Sequence, residues 1–190
     1  DWYLPAVRGT IVSESSRTKF FSIWRSLLPI ARGVPTSLVL RDYHAGNLMF
    51  LKNRVGIKAC GLLDFQDAVV GPITYDIVSL LEDARLDVAP HLSKLLITRY
   101  LNAFPMVDRE SFNDSYDLLG TQRSMKIIGI FTRLDRRDGK PIYIDHIPRV
   151  WRWLHRDLAN PLQAPLMEWL DHELPQSLRI PPRVSTEIIS

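Results

Sequence analysis

Apolar residues recur at helical spacing between Glu14 and Ala31: Phe20, Phe21, Trp24, Leu27, Leu28 and Ala31 gather on one side of a helix. Serines 13, 15 and 16 offer N-caps, and Gly33 with Pro35 ends the run. Next comes a short apolar strand, Ser37 to Leu40, then a polar loop from Arg41 to Gly46. Asn47 to Leu51 and Ile57 to Leu63 read as two more strands, joined by a turn over Lys52 to Gly56. Adjacent strands with a short connection form a hairpin whose two ends lie side by side. That pairing brings Asn47 close to Asp64.

The remaining pattern is helical. Predicted helices run from Ile73 to Arg85, His91 to Phe104, Arg109 to Arg137, Asp145 to Leu158 and Pro161 to Leu174. Gly120 and Gly129 are points where the longest of these would break. Pro148 and Pro165 fit a first helical turn. Asp1 to Thr10 reads as loop, with Trp2, Tyr3 and Leu4 apolar enough to pack on the body. The tail after Leu178, with Pro181 and Pro182, reads as extended and partly loose. The fold class expected is α+β and predominantly helical, with a small β-hairpin set into the helical body.

Composition narrows this picture only at its edges. The chain has 190 residues, 46% hydrophobic and 24% charged, the balance of a soluble globular domain. A single cysteine, Cys60, excludes an intrachain disulfide framework and a cysteine zinc cluster; it reads as a small core residue in a strand. No apolar run approaches the ~18 residues that span a bilayer, so no membrane partner is expected. A net charge of +3 is too slight to argue for nucleic acid. A reducing cytoplasm is the simplest compartment. Eighteen of the 24 basic residues are Arg, a weak pointer to anionic ligands.

The chemistry is concentrated between Val39 and Asp83. Asp42 and Asn47 stand five residues apart on the loop after an apolar strand. Asp64 ends a later apolar strand in Leu62-Leu63-Asp64-Phe65-Gln66-Asp67, and Tyr75-Asp76 begins a helix. Phosphoryl transfer needs a carboxylate to orient the acceptor hydroxyl and take its proton, plus hard oxygen ligands for Mg²⁺. Asp42 fits the first need; Asn47 and Asp64, meeting at the hairpin ends, fit the second. One such Asp alone would simply cap a turn.

In this order and spacing the segment resembles the catalytic region of the aminoglycoside phosphotransferase and choline kinase superfamily, relatives of the protein kinases. Those families carry His-x-Asp-x-x-x-x-Asn and then an apolar strand ending in Asp. Here Leu40 replaces the usual histidine. The Leu-Leu-Asp-Phe-Gln-Asp-Ala box, the Tyr-Asp-Ile-Val-Ser-Leu-Leu-Glu-Asp-Ala-Arg run, Trp2 to Ala6 and Gly129 to Trp151 look more closely like the bacterial cell-wall sugar kinases. Those enzymes phosphorylate the anomeric hydroxyl of N-acetylmuramate and N-acetylglucosamine in cell-wall recycling.

The resemblance implies a protein-kinase-like large (C-terminal) lobe over residues 1–180, with 181–190 as a loose tail. It implies ATP and Mg²⁺ as cofactors and an amino sugar as substrate. Asp42 would be the base, Asn47 and Asp64 the metal and nucleotide ligands. Arg41 and Asp76 would support the loop, and His44 and Asp67 would face substrate or support the loop. No glycine-rich phosphate loop precedes the motif, and only Lys19 does so as a lysine. The expectation is therefore that the N-terminal nucleotide lobe is absent from this chain, which alone would bind nucleotide weakly and turn over poorly. Trp151, Trp153 and Trp169 read as packing rather than a sugar-stacking platform, and Arg133, Arg136 and Arg137 as a solvated helix end, the alternative being a reach to a lactyl carboxylate or phosphate. Two other readings stay open: a kinase for a cationic acceptor such as an aminoglycoside or choline, and a non-catalytic kinase-like binding module.

Overall fold

The computed structural model describes residues 1–182. Its elements are α1 (Tyr3–Arg8), α2 (Glu14–Ala31), β1 (Thr36–Val39), β2 (Leu48–Phe50), β3 (Cys60–Leu62), β4 (Val69–Pro72), α3 (Thr74–Leu81), α4 (Pro90–Ala103), α5 (Arg109–Arg136), α6 (Ile147–Asp157) and α7 (Ala164–Glu173). This is the mostly helical α+β class expected, with small antiparallel sheets. The expected loose tail lies outside the described residues from 183 onward; before that, Arg136 donates to the Pro182 carbonyl at 2.8 Å.

The helix over Glu14–Ala31 forms as its pattern predicts, and Ser13 caps it by accepting the Ser16 N–H at 3.2 Å. Residues 1–10 depart from the expected loop. Tyr3–Arg8 is helical, closed by Gly9 at φ 72°, a left-handed position that glycine adopts without strain. Tyr3 anchors this turn in the core. Its hydroxyl donates to the Ile180 carbonyl at 2.8 Å and accepts from Trp151 Nε1 at 3.1 Å. Trp2 remains largely exposed.

The long helix α5 is the axis of the body, with α2, α3 and α6 packed along it. It does not break at Gly120 or Gly129. Gly120 marks a close approach instead: a Cβ there would lie 2.2 Å from Asp157 Oδ2 on α6. A buried hydroxyl relay ties three helices together. Thr74 and Ser115 share a hydrogen bond at 2.6 Å, and Ser115 donates to the Ala31 carbonyl at 2.7 Å. Trp151 and Trp169 are buried, and Trp169 Nε1 donates to the Ser16 carbonyl at 3.1 Å. Pro148 and Pro165 occupy first helical turns, each helix being preceded by a 3-10 turn.

The strands correct the expected single hairpin. β2 and β3 pair antiparallel in the register Leu48↔Leu62 and Phe50↔Cys60. The predicted strand from Ile57 is shortened, because Gly56–Ala59 forms a 3-10 turn begun by Gly56 at φ 59°. A second ribbon pairs β1 with β4, Thr36 facing Pro72 and Val39 facing Val69. Cys60 is exposed on its edge strand rather than buried in the core.

Candidate active site

The two ribbons converge on one loop. β1 delivers the chain to Leu40, and β4 leads, through Ile73, into α3, which carries Asp76. Asp76 reaches back with both oxygens: Oδ2 accepts the Leu40 N–H at 2.7 Å and Oδ1 the Arg41 N–H at 3.0 Å. One turn further along α3, the buried Ser79 hydroxyl donates to the Arg41 carbonyl at 3.3 Å. Burial pushes the Asp76 carboxyl above its ordinary range, and the two amide donors pull it back. Arg41 sits at φ 70° within these bonds, a left-handed conformation that costs a side-chain-bearing residue roughly 1–2 kcal/mol. Such strain persists only where the surroundings dictate it.

Asn47 is the next fixed point. Its Nδ2 donates to the Asp42 carbonyl at 2.9 Å, closing the loop over five residues. Its own carbonyl accepts the Leu63 N–H at 2.9 Å, which extends the β2–β3 ladder by one rung. Asp64 follows at φ 57°, the second strained non-glycine position in the described chain. Its Oδ1 accepts from Gln66 Nε2. Positions 42, 47 and 64 are thus linked through two hydrogen bonds and one peptide step, and Asp42 and Asp64 are exposed.

Hydrogen-bond direction settles what Asn47 offers. With the amide nitrogen committed to the Asp42 carbonyl, Oδ1 remains as a free acceptor. One amide oxygen and one carboxylate at neighbouring positions are hard donors of the kind Mg²⁺ prefers, with water and phosphate oxygens completing its shell. Among the described residues no group of three His, Cys, Asp or Glu side chains gathers to hold a metal by itself.

The other predicted residues lie on the same loop system. Arg41 Nη1 approaches the Asp67 carbonyl at 3.5 Å, so Asp67 touches the loop through its backbone, while its side chain is exposed. His44 Nδ1 accepts the Gly46 N–H at 3.2 Å and caps the short 3-10 turn Ala45–Asn47. Three neighbours escaped the sequence reading. Ser79 was legible in principle, standing three residues after Asp76 on one helix face. Arg123 comes from α5 and is 8% exposed; Nη1 donates to the Glu82 carbonyl at 3.2 Å, and its charge lowers the proton affinity of Asp76. Arg85 approaches His44 from beyond α3. Arg85 closes the Tyr75–Arg85 run, but nothing in that run marks it as a neighbour of His44; Arg123 carries no local sequence signal.

Residues 9–112, which contain the whole of this loop system, match the phosphotransferase enzyme family. The chain belongs to that family. Individual relatives of this phosphotransferase chain agree on one name. It is 39% identical over 175 residues to an N-acetylmuramate/N-acetylglucosamine kinase of Caulobacter vibrioides, covering 92% of this chain and 48% of that protein. A protein of the same name from Pseudomonas aeruginosa is 36% identical over 183 residues, 93% of this chain and 52% of its own length. A third, from Neisseria meningitidis, is 36% identical over 185 residues, 91% of this chain and 54% of its own. The chain spans about half the length of these curated relatives. No helix among the described residues is long and apolar enough to cross a membrane.

Proposed function

We propose that this chain is the large, kinase-like lobe of an ATP- and Mg²⁺-dependent sugar kinase that phosphorylates the anomeric hydroxyl of N-acetylmuramate or N-acetylglucosamine. The observation that carries the reading is the junction of the Asp42 loop with the β2–β3 ribbon, made by both ends of Asn47. Names of relatives supply the substrate class.

Asp42 is the base in this reading. Exposed on a loop pinned by Asp76, it orients the acceptor hydroxyl and takes its proton as the oxygen bonds to the γ-phosphorus. The bond from that phosphorus to its bridging oxygen breaks, leaving ADP and a sugar 1-phosphate. Asn47 Oδ1 and the Asp64 carboxylate would hold Mg²⁺, which neutralises phosphate charge when bound. Arg41 and Asp76 hold the loop, and His44 and Asp67 flank the acceptor.

ATP in this reading lies between this lobe and a second one supplied by the remaining length of the protein. Apolar exposure on and beside the two ribbons supports that arrangement: Phe50 on β2 is 78% exposed, Val70 on β4 79%, and Ile57 in the turn before β3 91%. Exposed apolar surface of this kind is what a second folded unit covers. The 182 described residues alone would then bind nucleotide weakly. Cationic acceptors fit less well, because Arg41 and Arg85 stand on or beside the loop.

The test is incubation of the full-length protein with ATP, Mg²⁺ and, separately, N-acetylmuramate, N-acetylglucosamine, kanamycin and choline. A sugar 1-phosphate seen by ³¹P NMR is expected. Transfer to kanamycin or choline alone would overturn the choice of acceptor, and transfer to none would favour the non-catalytic module.

A further inference from the structure

Beyond α3 the chain turns back beneath the loop that bears His44. Asp83, 3% exposed, accepts the main-chain N–H of Arg85 at 2.7 Å and pins this turn. The exposed Arg85 side chain then brings Nη1 to 3.5 Å from His44 Nε2. His44 is held by its other nitrogen, since Nδ1 accepts the Gly46 N–H. The imidazole packs close over Gly46, where a Cβ would come within 3.1 Å of the ring.

These bonds fix the chemistry of the meeting point. A neutral imidazole that accepts at Nδ1 carries its proton on Nε2. Arg85 Nη1 is also only a donor. In that tautomer two donors meet 3.5 Å apart with no acceptor between them, and among the described residues no carboxylate pairs with Arg85. What completes such a pair is an acceptor with two oxygens, a carboxylate or phosphate. The nearby charges are mixed: burial, Arg149 and Arg85 hold the His146 imidazole below its usual proton affinity, while Asp145 and Asp83 act the other way. Arg149 itself is already engaged, with Nε and Nη2 on Asp87 at 2.8 and 2.9 Å and Nη1 on the Ala84 carbonyl at 3.2 Å. Of these two arginines, Arg85 is the one without a carboxylate partner among the described residues.

We propose that His44 Nε2 and Arg85 form a subsite for a carboxylate on the acceptor, the lactyl group of N-acetylmuramate. This rests on the sugar-kinase reading. The two acceptor sugars named for the relatives differ by that group: N-acetylmuramate carries a lactyl ether on C3, and N-acetylglucosamine carries a hydroxyl there. His44 stands two residues past Asp42, and its partner lies on the helical body rather than on the β2–β3 ribbon that bears the proposed metal ligands. An anion held there sits on the acceptor side of Asp42.

The test compares kcat/KM for the two sugars in the full-length protein and its Arg85→Gln and Arg85→Lys variants. Arg85→Gln is expected to lower kcat/KM for N-acetylmuramate by about 10- to 100-fold, chiefly through KM, the range expected for one charge-assisted contact. N-acetylglucosamine should stay within about twofold, since it never makes the contact. Arg85→Lys should restore part of the loss. An equal loss on both sugars, with a raised KM for ATP, would place the arginine on phosphate and overturn the inference. Unchanged selectivity would overturn it too. Absence of transfer to either sugar by the unmodified protein would refute the kinase reading itself, an outcome distinct from these.

Discussion

Asp76→Ala should release the loop that carries Asp42. The carboxylate accepts two backbone N–H groups, from Leu40 at 2.7 Å and Arg41 at 3.0 Å. Hydrogen bonds to a charged group contribute roughly 1.5–3 kcal/mol each, so the gross loss is roughly 3–6 kcal/mol. Three effects reduce it. Asp76 is only half buried, and removing the side chain also relieves the desolvation that raises its pKa. Relaxation of Arg41 from φ 70° returns a further ~1 kcal/mol. A net destabilisation of about 2–4 kcal/mol remains, a large part of the 5–15 kcal/mol typical of a domain. Denaturant unfolding measures it, and hydrogen exchange at the amides of Leu40 and Arg41 reports whether the loop itself has opened. Asp76→Asn keeps one acceptor oxygen but turns an NH₂ group onto the other amide, so it should recover less than half. Were Asp76→Ala to unfold within ~0.5 kcal/mol of the unmodified chain, with both amides still protected, the reasoning would be wrong.

Two further perturbations test the packing beneath the site. Gly120→Ala should destabilise by about 1–3 kcal/mol, because the new Cβ meets Asp157 Oδ2 at 2.2 Å and overpacking outweighs the ~1 kcal/mol gain in helix propensity. Gly129→Ala on the same helix meets open space and should stabilise by about 0.5–1 kcal/mol; equal effects at both positions would refute the close-approach argument. The pH dependence of unfolding tests the pair behind Gly120. Glu82 and Asp157 are buried against each other, Arg156 serving one oxygen of each while the other two oxygens face across the pair and can share a proton. Burial and then the neighbouring carboxyl push Asp157 well above its ordinary range, so the native state keeps a proton that the unfolded chain releases. Its contribution is complete below the unfolded carboxylate range and is lost as pH rises toward the native value. Stability should therefore fall from about pH 4 upward past neutrality, by at most about 1.4 kcal/mol per pH unit, and Asp157→Asn should flatten that slope. A steeper slope in the variant would contradict the assignment.

Much of this architecture was legible from local pattern. The Glu14–Ala31 helix follows from its apolar spacing and serine cap. The approach of Asn47 to residues 63 and 64 follows from antiparallel pairing alone. Tyr3–Arg8 was missed because six residues with an internal proline show no periodicity, although Gly9 is the C-cap signal that would have marked it. β4 was missed because Val69-Val70-Gly71-Pro72 contains two turn-forming residues and becomes a strand only through its pairing with β1. Ile57–Ala59 was read as strand because an apolar run looks alike in a strand and in a 3-10 turn. Gly120 was read as a break because its reason, a carboxylate 37 residues further along, is tertiary. The same holds at the site. Asp42, Asn47, Asp64 and Asp76 lie in one segment and could be read in order, whereas Arg85 and Arg123 reach it only through the fold.

The central claim is that Asp42 and Asp64 act together in phosphoryl transfer, and the rate of sugar phosphorylation by the full-length protein with Asp42→Asn and Asp64→Ala tests it most directly. Asp42→Asn should lower kcat by about 10²- to 10⁴-fold with little change in KM for ATP, as loss of a general base does. Asp64→Ala should lower kcat and shift the Mg²⁺ requirement to higher concentration. Full activity in either variant would contradict the account.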